Sequence, residues 1–377
     1  MSLREEFPIF KSKTYINSCS YGALSHDVRA AYEQYLNDRD IHGSHWEHWV
    51  GMLEDLRARM ASLLNAESDE IALTSSLSEG LNALASSLTY TPERNKIVIT
   101  DFDFPTTAQI WFAQQKRGAK VVQVAEDNAT KSLLLESFEK AIDDSTLLVS
   151  IPYVCYRNGS TQDIEPIIKL ARKHGAMVFL DSYQAVGAIP VDVKALDVDF
   201  LAGGMLKYLL STAGTGYLYV RKPLIEQLVP TTSGWFSQRD IHAMDHTQND
   251  PSPTARRFES GTPNVANVYA AIAGLKIVEK LGVANIQNEV SSIIAALKAK
   301  TLENGFKLGI DQQRHSPMVT IQSNDMYGLV AKLEEDNIVT SCRDDNLRVS
   351  PHFYNNLDDV DTLFESLLKN QSLLARE

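Results

Sequence analysis

Cysteine is scarce in this chain. Cys19, Cys155 and Cys342 are the only three in 377 residues, odd in number and far apart. That pattern excludes a disulfide framework and fits a reducing cytoplasm. No apolar run approaches the length of a membrane-spanning helix, so no membrane partner is expected. Basic charge is in deficit: 36 Lys and Arg face 48 Asp and Glu, a net charge of −12. Nonspecific nucleic-acid binding needs clustered cations, so no nucleic-acid partner is expected either. The opening Met1-Ser2-Leu3-Arg4-Glu5-Glu6 carries acid and lacks the apolar core of a secretory signal. Internal repeats, low-complexity tracts and metal-ligand spacings are absent, so no metal is expected. No Gly-x-Gly-x-x-Gly follows an early strand. That leaves a nicotinamide-dependent oxidoreductase as a remote alternative.

What is present is an ordinary apolar fraction, 44%, in a chain long enough for two sizeable cores. Strand-like apolar runs at 96–100, 120–124, 146–151, 177–181, 199–202 and 216–220 alternate with helical patterns at 78–88, 106–117 and 164–174. Such alternation predicts βαβ units and a mainly parallel sheet. A polar, proline-broken stretch at 247–254 reads as a loop. Beyond it, long amphipathic helices at 265–281 and 286–303 precede short strands at 318–321, 338–341 and 347–350. A helix over 325–336 and a terminal helix from Leu357 complete a smaller α+β unit. The expected fold is therefore α/β: a large domain, 15–255, with a mainly parallel mixed sheet sandwiched by helices, and a small C-terminal α+β domain, 256–377. Residues 1–14 form a segment that packs on the small domain or on a partner. His42, His45 and His48 fall three apart and would share one face of a helix, either solvated or packed in the core.

Lys207 lies between an apolar strand and a glycine-rich turn, in Gly203-Gly204-Met205-Leu206-Lys207-Tyr208-Leu209-Leu210. Burial among such neighbours disfavours the ammonium and leaves a neutral amine. That amine forms Schiff bases with carbonyl groups, including the aldehyde of pyridoxal phosphate (PLP). A lysine snorkelling to water is the plainer alternative. Upstream, Gly175 precedes the run Met177-Val178-Phe179-Leu180-Asp181. This reads as a buried parallel strand with a carboxylate at its C-terminal end, where open α/β sheets bind ligands. A carboxylate there can face a pyridine nitrogen and keep it protonated. Otherwise Asp181 caps the following segment.

With these residues and several further segments, the sequence resembles the class V aminotransferases, the fold-type I PLP enzymes that include cysteine desulfurases, kynureninases and isopenicillin N epimerases. The segments are Tyr15-Ile16-Asn17-Ser18, Leu77-Ser78-Glu79-Gly80, Asp103-Phe104-Pro105-Thr106, Asp181-Ser182-Tyr183-Gln184, Gly203 to Gly216, Arg257 to Asn264 and Leu347-Arg348-Val349-Ser350.

The resemblance implies PLP joined to Lys207, the catalytic base, with Asp181 at the ring nitrogen. It implies Gln184 at the ring oxygen and Phe104 stacked on the ring. Ser78, with the main chain of Leu77 and Glu79, would hold the phosphate at a helix N-terminus. Tyr156 would pack beside the cofactor. Trp235, in Ser233-Gly234-Trp235, would help neutralise the phosphate. Thr262 would reach it from a second subunit, making a homodimer with composite active sites. Arg348, with Asn17, would bind an amino-acid carboxylate, and Arg343 a second one.

Two departures weaken a desulfurase assignment. Gly204 and Leu206 stand where desulfurases carry Ser and His, and only Arg343-Asp344-Asp345-Asn346-Leu347 separate Cys342 from Arg348. That is too short for a long mobile loop carrying a nucleophilic thiol. The implied function is a PLP-dependent class V aminotransferase acting on a small amino acid. Cysteine desulfurase or selenocysteine lyase activity and epimerisation are the alternatives.

Overall fold

A computed structural model describes residues 3–127, 130–310 and 316–376. Met1 and Ser2 of the N-terminal segment lie outside the described residues. The strands are β1 (Thr14–Tyr15), β2 (Ile71–Thr74), β3 (Lys96–Thr100), β4 (Lys120–Val124), β5 (Thr146–Pro152), β6 (Met177–Asp181), β7 (Phe200–Gly204), β8 (Gly216–Val220), β9 (Val319–Gln322), β10 (Ile338–Val339), β11 (Ser341–Arg343) and β12 (Asn346–Val349). The helices used below are α1 (His26–His42), α2 (Trp46–Leu64), α3 (Leu77–Ser87), α4 (Pro105–Ala113), α5 (Leu135–Ala141) and α6 (Ile164–Lys173).

One seven-stranded sheet runs in the order β2-β8-β7-β6-β5-β3-β4. β3 to β7 are mutually parallel, and β8 is antiparallel to both of its neighbours. The expected α/β architecture with a mainly parallel mixed sheet is therefore what the chain adopts. Alternation along each strand feeds two cores. Val178 and Leu180 of β6 join Leu53 and Leu56 of α2 and Ile167 and Ile168 of α6. Phe179 joins Leu81 and Leu84 of α3 and Ile110 and Trp111 of α4 on the other face. Strands covered on both faces need apolar residues at nearly every position, which is why they read as unbroken runs. Burying each Leu, Ile or Phe is worth about 1.5–3 kcal/mol.

A second, three-stranded sheet, β11-β12-β9, belongs to a separate apolar cluster that also takes in Phe7, Tyr15 and Ile16 from the N-terminus. β1 pairs in parallel with β10, and Asn17 bridges to Ser350. The region expected as one strand at 338–341 is two, β10 and β11.

One expectation is overturned. His42, His45 and His48 do not share a helix. α1 ends at His42 because Gly43 takes φ 64°, and α2 begins at Trp46. The three rings stack across that break, His42 to His45 at 4.4 Å and His45 to His48 at 4.9 Å.

Candidate active site

The parallel strands deliver their C-terminal ends to one edge of the sheet. Asp181 closes β6, Pro152 closes β5, Gly204 closes β7, and Lys207 follows three residues on. Asp181, Pro152 and Lys207 line a cavity of about 270 Å³ together with Ser76, Leu77, Ser78, Phe104, Tyr156 and Gln184.

Lys207 is held by its turn. The Gly22 N–H donates to the Leu206 carbonyl at 2.8 Å. A Cβ at position 22 would lie 2.3 Å from the Lys207 carbonyl oxygen, so only glycine fits there. Below it, His352 Nε2 contacts the Tyr208 carbonyl at 3.0 Å. Lys207 Nζ lies 4.5 Å from the centre of the Tyr183 ring. Burial pushes its pKa down to about 8, against the opposing pull of Cys19 and Asp181. A neutral amine is thus accessible near physiological pH.

The Asp181 carboxylate accepts from the Tyr183 N–H at 3.0 Å and from the Thr107 hydroxyl at 3.3 Å. Burial raises its pKa; the Tyr183 N–H and Lys207 oppose the rise. Asp103, also buried, is pushed up to about 8 by burial despite bonds from Thr100. Two carboxyls and an amine therefore share a dry, low-dielectric floor, each driven towards its neutral form. Gln184 donates from Nε2 to the Cys19 carbonyl at 3.0 Å, and its Oε1 is buried without a partner among the described residues.

Ser76 caps α3, its hydroxyl accepting from the Glu79 N–H at 3.2 Å. The following N–H groups are free to meet an anion. Phe104 stands just before Pro105, the first residue of α4, and meets Tyr156 edge-on at 4.9 Å. Arg348 is buried in β12. Nη1 donates to the Tyr156 carbonyl at 2.7 Å, Nη2 to the hydroxyls of Ser341 at 2.9 Å and Ser20 at 3.1 Å, and Nε has no partner among the described residues. The Ser341 hydroxyl in turn donates to Asn17 Oδ1 at 2.8 Å. Arg343 is exposed, does not line the cavity, and donates to the Cys342 carbonyl at 2.6 Å.

The structure thus brings Leu77, Ser78, Phe104, Tyr156, Asp181, Gln184 and Lys207 to one cavity. Glu79 turns away: its carboxylate accepts from the Ser75 N–H and the Ser260 hydroxyl, and it lines a smaller cavity of about 160 Å³ that also holds Thr262. Trp235 sits apart, 5.7 Å from Trp46 and 4.5 Å from Phe236. Thr107, Tyr183, Ser20 and Ser341 were not singled out from the sequence. Tyr183 lies within the quoted Asp181-Ser182-Tyr183-Gln184 motif and Thr107 directly after Asp103-Phe104-Pro105-Thr106, so adjacency is the signal that could have found them. Cys342 is buried in β11, and burial raises its pKa. Among the described residues no group of three or more His, Cys, Asp or Glu could hold a metal ion. No helix among them is long and apolar enough to cross a membrane.

PLP fits this donor set. An amine of lowered pKa can meet its aldehyde, a buried carboxylate its ring nitrogen, a helix N-terminus its phosphate, and the unpartnered end of Gln184 marks a polar position still to be satisfied. Comparison with known proteins agrees. The family model for aminotransferase class V matches residues 24–363, and the chain belongs to that family. The uncharacterised aminotransferase YcbU of Bacillus subtilis is 35% identical over 358 residues, covering 95% of this chain and 94% of its own. A probable cysteine desulfurase of Pyrococcus abyssi is 26% identical over 398 residues, covering 98% and 97%. Among solved structures, the apo cysteine desulfurase of Thermococcus onnurineus NA1 superposes with a TM-score of 0.87 at 23% identity, covering 98% of this chain and 97% of that one. The cystine C-S lyase C-DES, in complex with cysteine persulfide, gives 0.87 at 20% identity, covering 96% and 98%. The fold is that of the PLP enzymes of type I, and the chain is a PLP-dependent enzyme.

Proposed function

We propose that this chain transfers the amino group of a small amino acid, with Lys207 as anchor and base. When bound, PLP supplies an aldehyde for the substrate amine and a ring that draws electrons from the bond being broken. Lys207 binds that aldehyde in the resting enzyme. Its amine would be the group placed to take the proton from the substrate α-carbon and to hand it back. Asp181 keeps a proton on the ring nitrogen, Phe104 and Tyr156 hold the ring plane, and Gln184 meets the ring oxygen. Leu77 and Ser78 would hold the phosphate by their N–H groups and the Ser78 hydroxyl; the Glu79 N–H, expected to join them, is taken by the Ser76 hydroxyl. Arg348 binds the substrate carboxylate, backed by Asn17 through Ser341, and Arg343 reads a second acidic group.

The observation that carries transamination over sulfur transfer is the lining itself. It includes no cysteine and no histidine; Leu206 stands next to Lys207. Sulfur removal by a desulfurase needs a mobile thiol in reach of the substrate; Cys342 is buried in a strand, and Cys19, though near Lys207, is buried against Asn17 and Ser341 and does not line the cavity. The test is incubation of the holoenzyme with single amino acids and no keto acid. Pyridoxamine phosphate should accumulate. Rapid sulfide release from cysteine would instead establish the desulfurase alternative.

The same reading makes the enzyme a cytoplasmic homodimer. Three free, buried thiols support the compartment. The separation of Thr262 and Trp235 from the main cavity supports completion by a partner, as do exposed Leu36, Ile41 and Trp46. Light scattering that gave a monomeric mass for active enzyme would refute it. The reading also divides the chain into 1–14, 15–255 and 256–377, with Phe7 packed on Phe353 and Tyr354 in support.

A further inference from the structure

β7 ends in two glycines, and the second is filled from outside. A Cβ at Gly204 would lie 2.2 Å from the Tyr183 hydroxyl oxygen and 2.3 Å from the ring carbon that bears it. The phenol therefore occupies the space a side chain at 204 would take. That is the position at which the desulfurases resembled by this sequence carry a serine. Gly204 pairs across the sheet with Gly216. A Cβ at Gly216 would lie 2.7 Å from the Ser76 carbonyl carbon and 3.0 Å from the Leu77 nitrogen. The Tyr183 hydroxyl is thus about one strand spacing from the N-terminus of α3. It shares the cavity with Ser76, Leu77, Ser78 and Lys207. It makes no hydrogen bond to any described residue, while the Tyr183 ring is fixed by its own N–H on Asp181 and by Lys207 against its face. Burial raises the phenol pKa, with Asp181 and Tyr21 adding to the effect, so the group remains a donor at neutral pH.

We propose that Tyr183 donates its hydroxyl to the cofactor phosphate in place of a serine at 204, and that Tyr183 and Gly204 form one exchangeable unit selecting the phosphorylated cofactor. This rests on the reading that the phosphate sits at the N-terminus of α3.

Titration of the apoenzyme with PLP and with unphosphorylated pyridoxal, followed by tryptophan fluorescence, tests it. The wild type should prefer PLP. Tyr183→Phe should lose roughly 10- to 100-fold in PLP affinity, the worth of one hydrogen bond to a charged group, and keep its pyridoxal affinity. Tyr183→Ala should lose PLP affinity as well, and adding Gly204→Ser to it should restore part of the preference. Gly204→Ser with Tyr183 retained should weaken PLP binding, because two groups compete for one space. Unchanged PLP affinity in Tyr183→Phe, or an equal loss for both ligands, overturns the proposal. Equal wild-type affinity for the two ligands overturns the phosphate reading beneath it as well. Should Tyr183→Phe fail to fold, the exchange decides: a double variant binding PLP no better than Tyr183→Ala overturns the proposal.

Discussion

Two buried sets of charges in this molecule are treated in opposite ways. Arg57 of α2 and Glu259 meet directly at 2.6 Å. The guanidinium also donates to the Ile71 carbonyl at 2.7 Å, and the carboxylate accepts from the Leu73 N–H at 2.9 Å. Burial alone would lower the Arg57 pKa; the Glu259 and Glu54 carboxylates outweigh it and hold it above its usual value. Asp181 is as deeply buried and Lys207 is half-buried in the cavity wall, yet no ion pair joins them, and burial pushes both towards neutrality. Matched partners make the first pair a fastening for β2. Incomplete matching leaves the second pair able to change state, which is what proton transfer requires.

The contrast can be broken at either end. Lys207→Ala should lower turnover by roughly 10²–10⁴-fold, the contribution of a positioned base, and borohydride should no longer fix PLP to the chain. A variant that retained turnover would remove Lys207 from the chemistry. Glu259→Leu should cost about 3–5 kcal/mol in urea unfolding, because the buried Arg57 keeps only the exposed Glu54 as counter-charge and the Leu73 N–H loses its acceptor. A loss below about 1 kcal/mol would mean that water reaches Arg57 and that the two regions differ less than described.

Lys207→Met should stabilise the apoenzyme by about 3 kcal/mol at pH 7, the equivalent of the pKa depression. The sign follows from the folded pKa, about 8, lying below the ordinary lysine value of 10.5. The unfolded chain binds more protons between these values, so the penalty is complete below pH 8 and fades as pH rises towards 10.5. The variant's advantage should shrink over that window. An advantage independent of pH would indicate packing and not charge. The smallest effect is on cofactor capture: apoenzyme should take up PLP half-maximally near pH 8, the fraction of free amine falling about tenfold for each pH unit below it. Capture rising only above pH 10 would place the Lys207 amine in contact with water.

The parts legible in the sequence are those whose patterns are local. The parallel strands stood out because burial on both faces demands continuous apolar runs, and Lys207 and Asp181 stood out because charges interrupt or end such runs. α1 was not legible, since Val28 is its only buried residue and no apolar stripe marks it. The histidine spacing misled because Gly43 ends the helix between the first two rings. Contacts closed over long distances in sequence were invisible as well. Nothing in the local pattern joins Ser20 to Arg348, or tells that the Tyr183 hydroxyl fills the place beside Gly204.

The wall carrying Arg348 is assembled from both ends of the chain. β1 has no partner until β10 exists, and Ser20 meets Arg348 only after nearly the whole polypeptide is made. At ordinary rates of translation the early segment waits on the order of half a minute for its mate. A nascent chain can therefore form the sheet that carries Asp181 and Lys207 well before it has a substrate-binding wall, and His352 comes to rest against the Tyr208 carbonyl only with that wall.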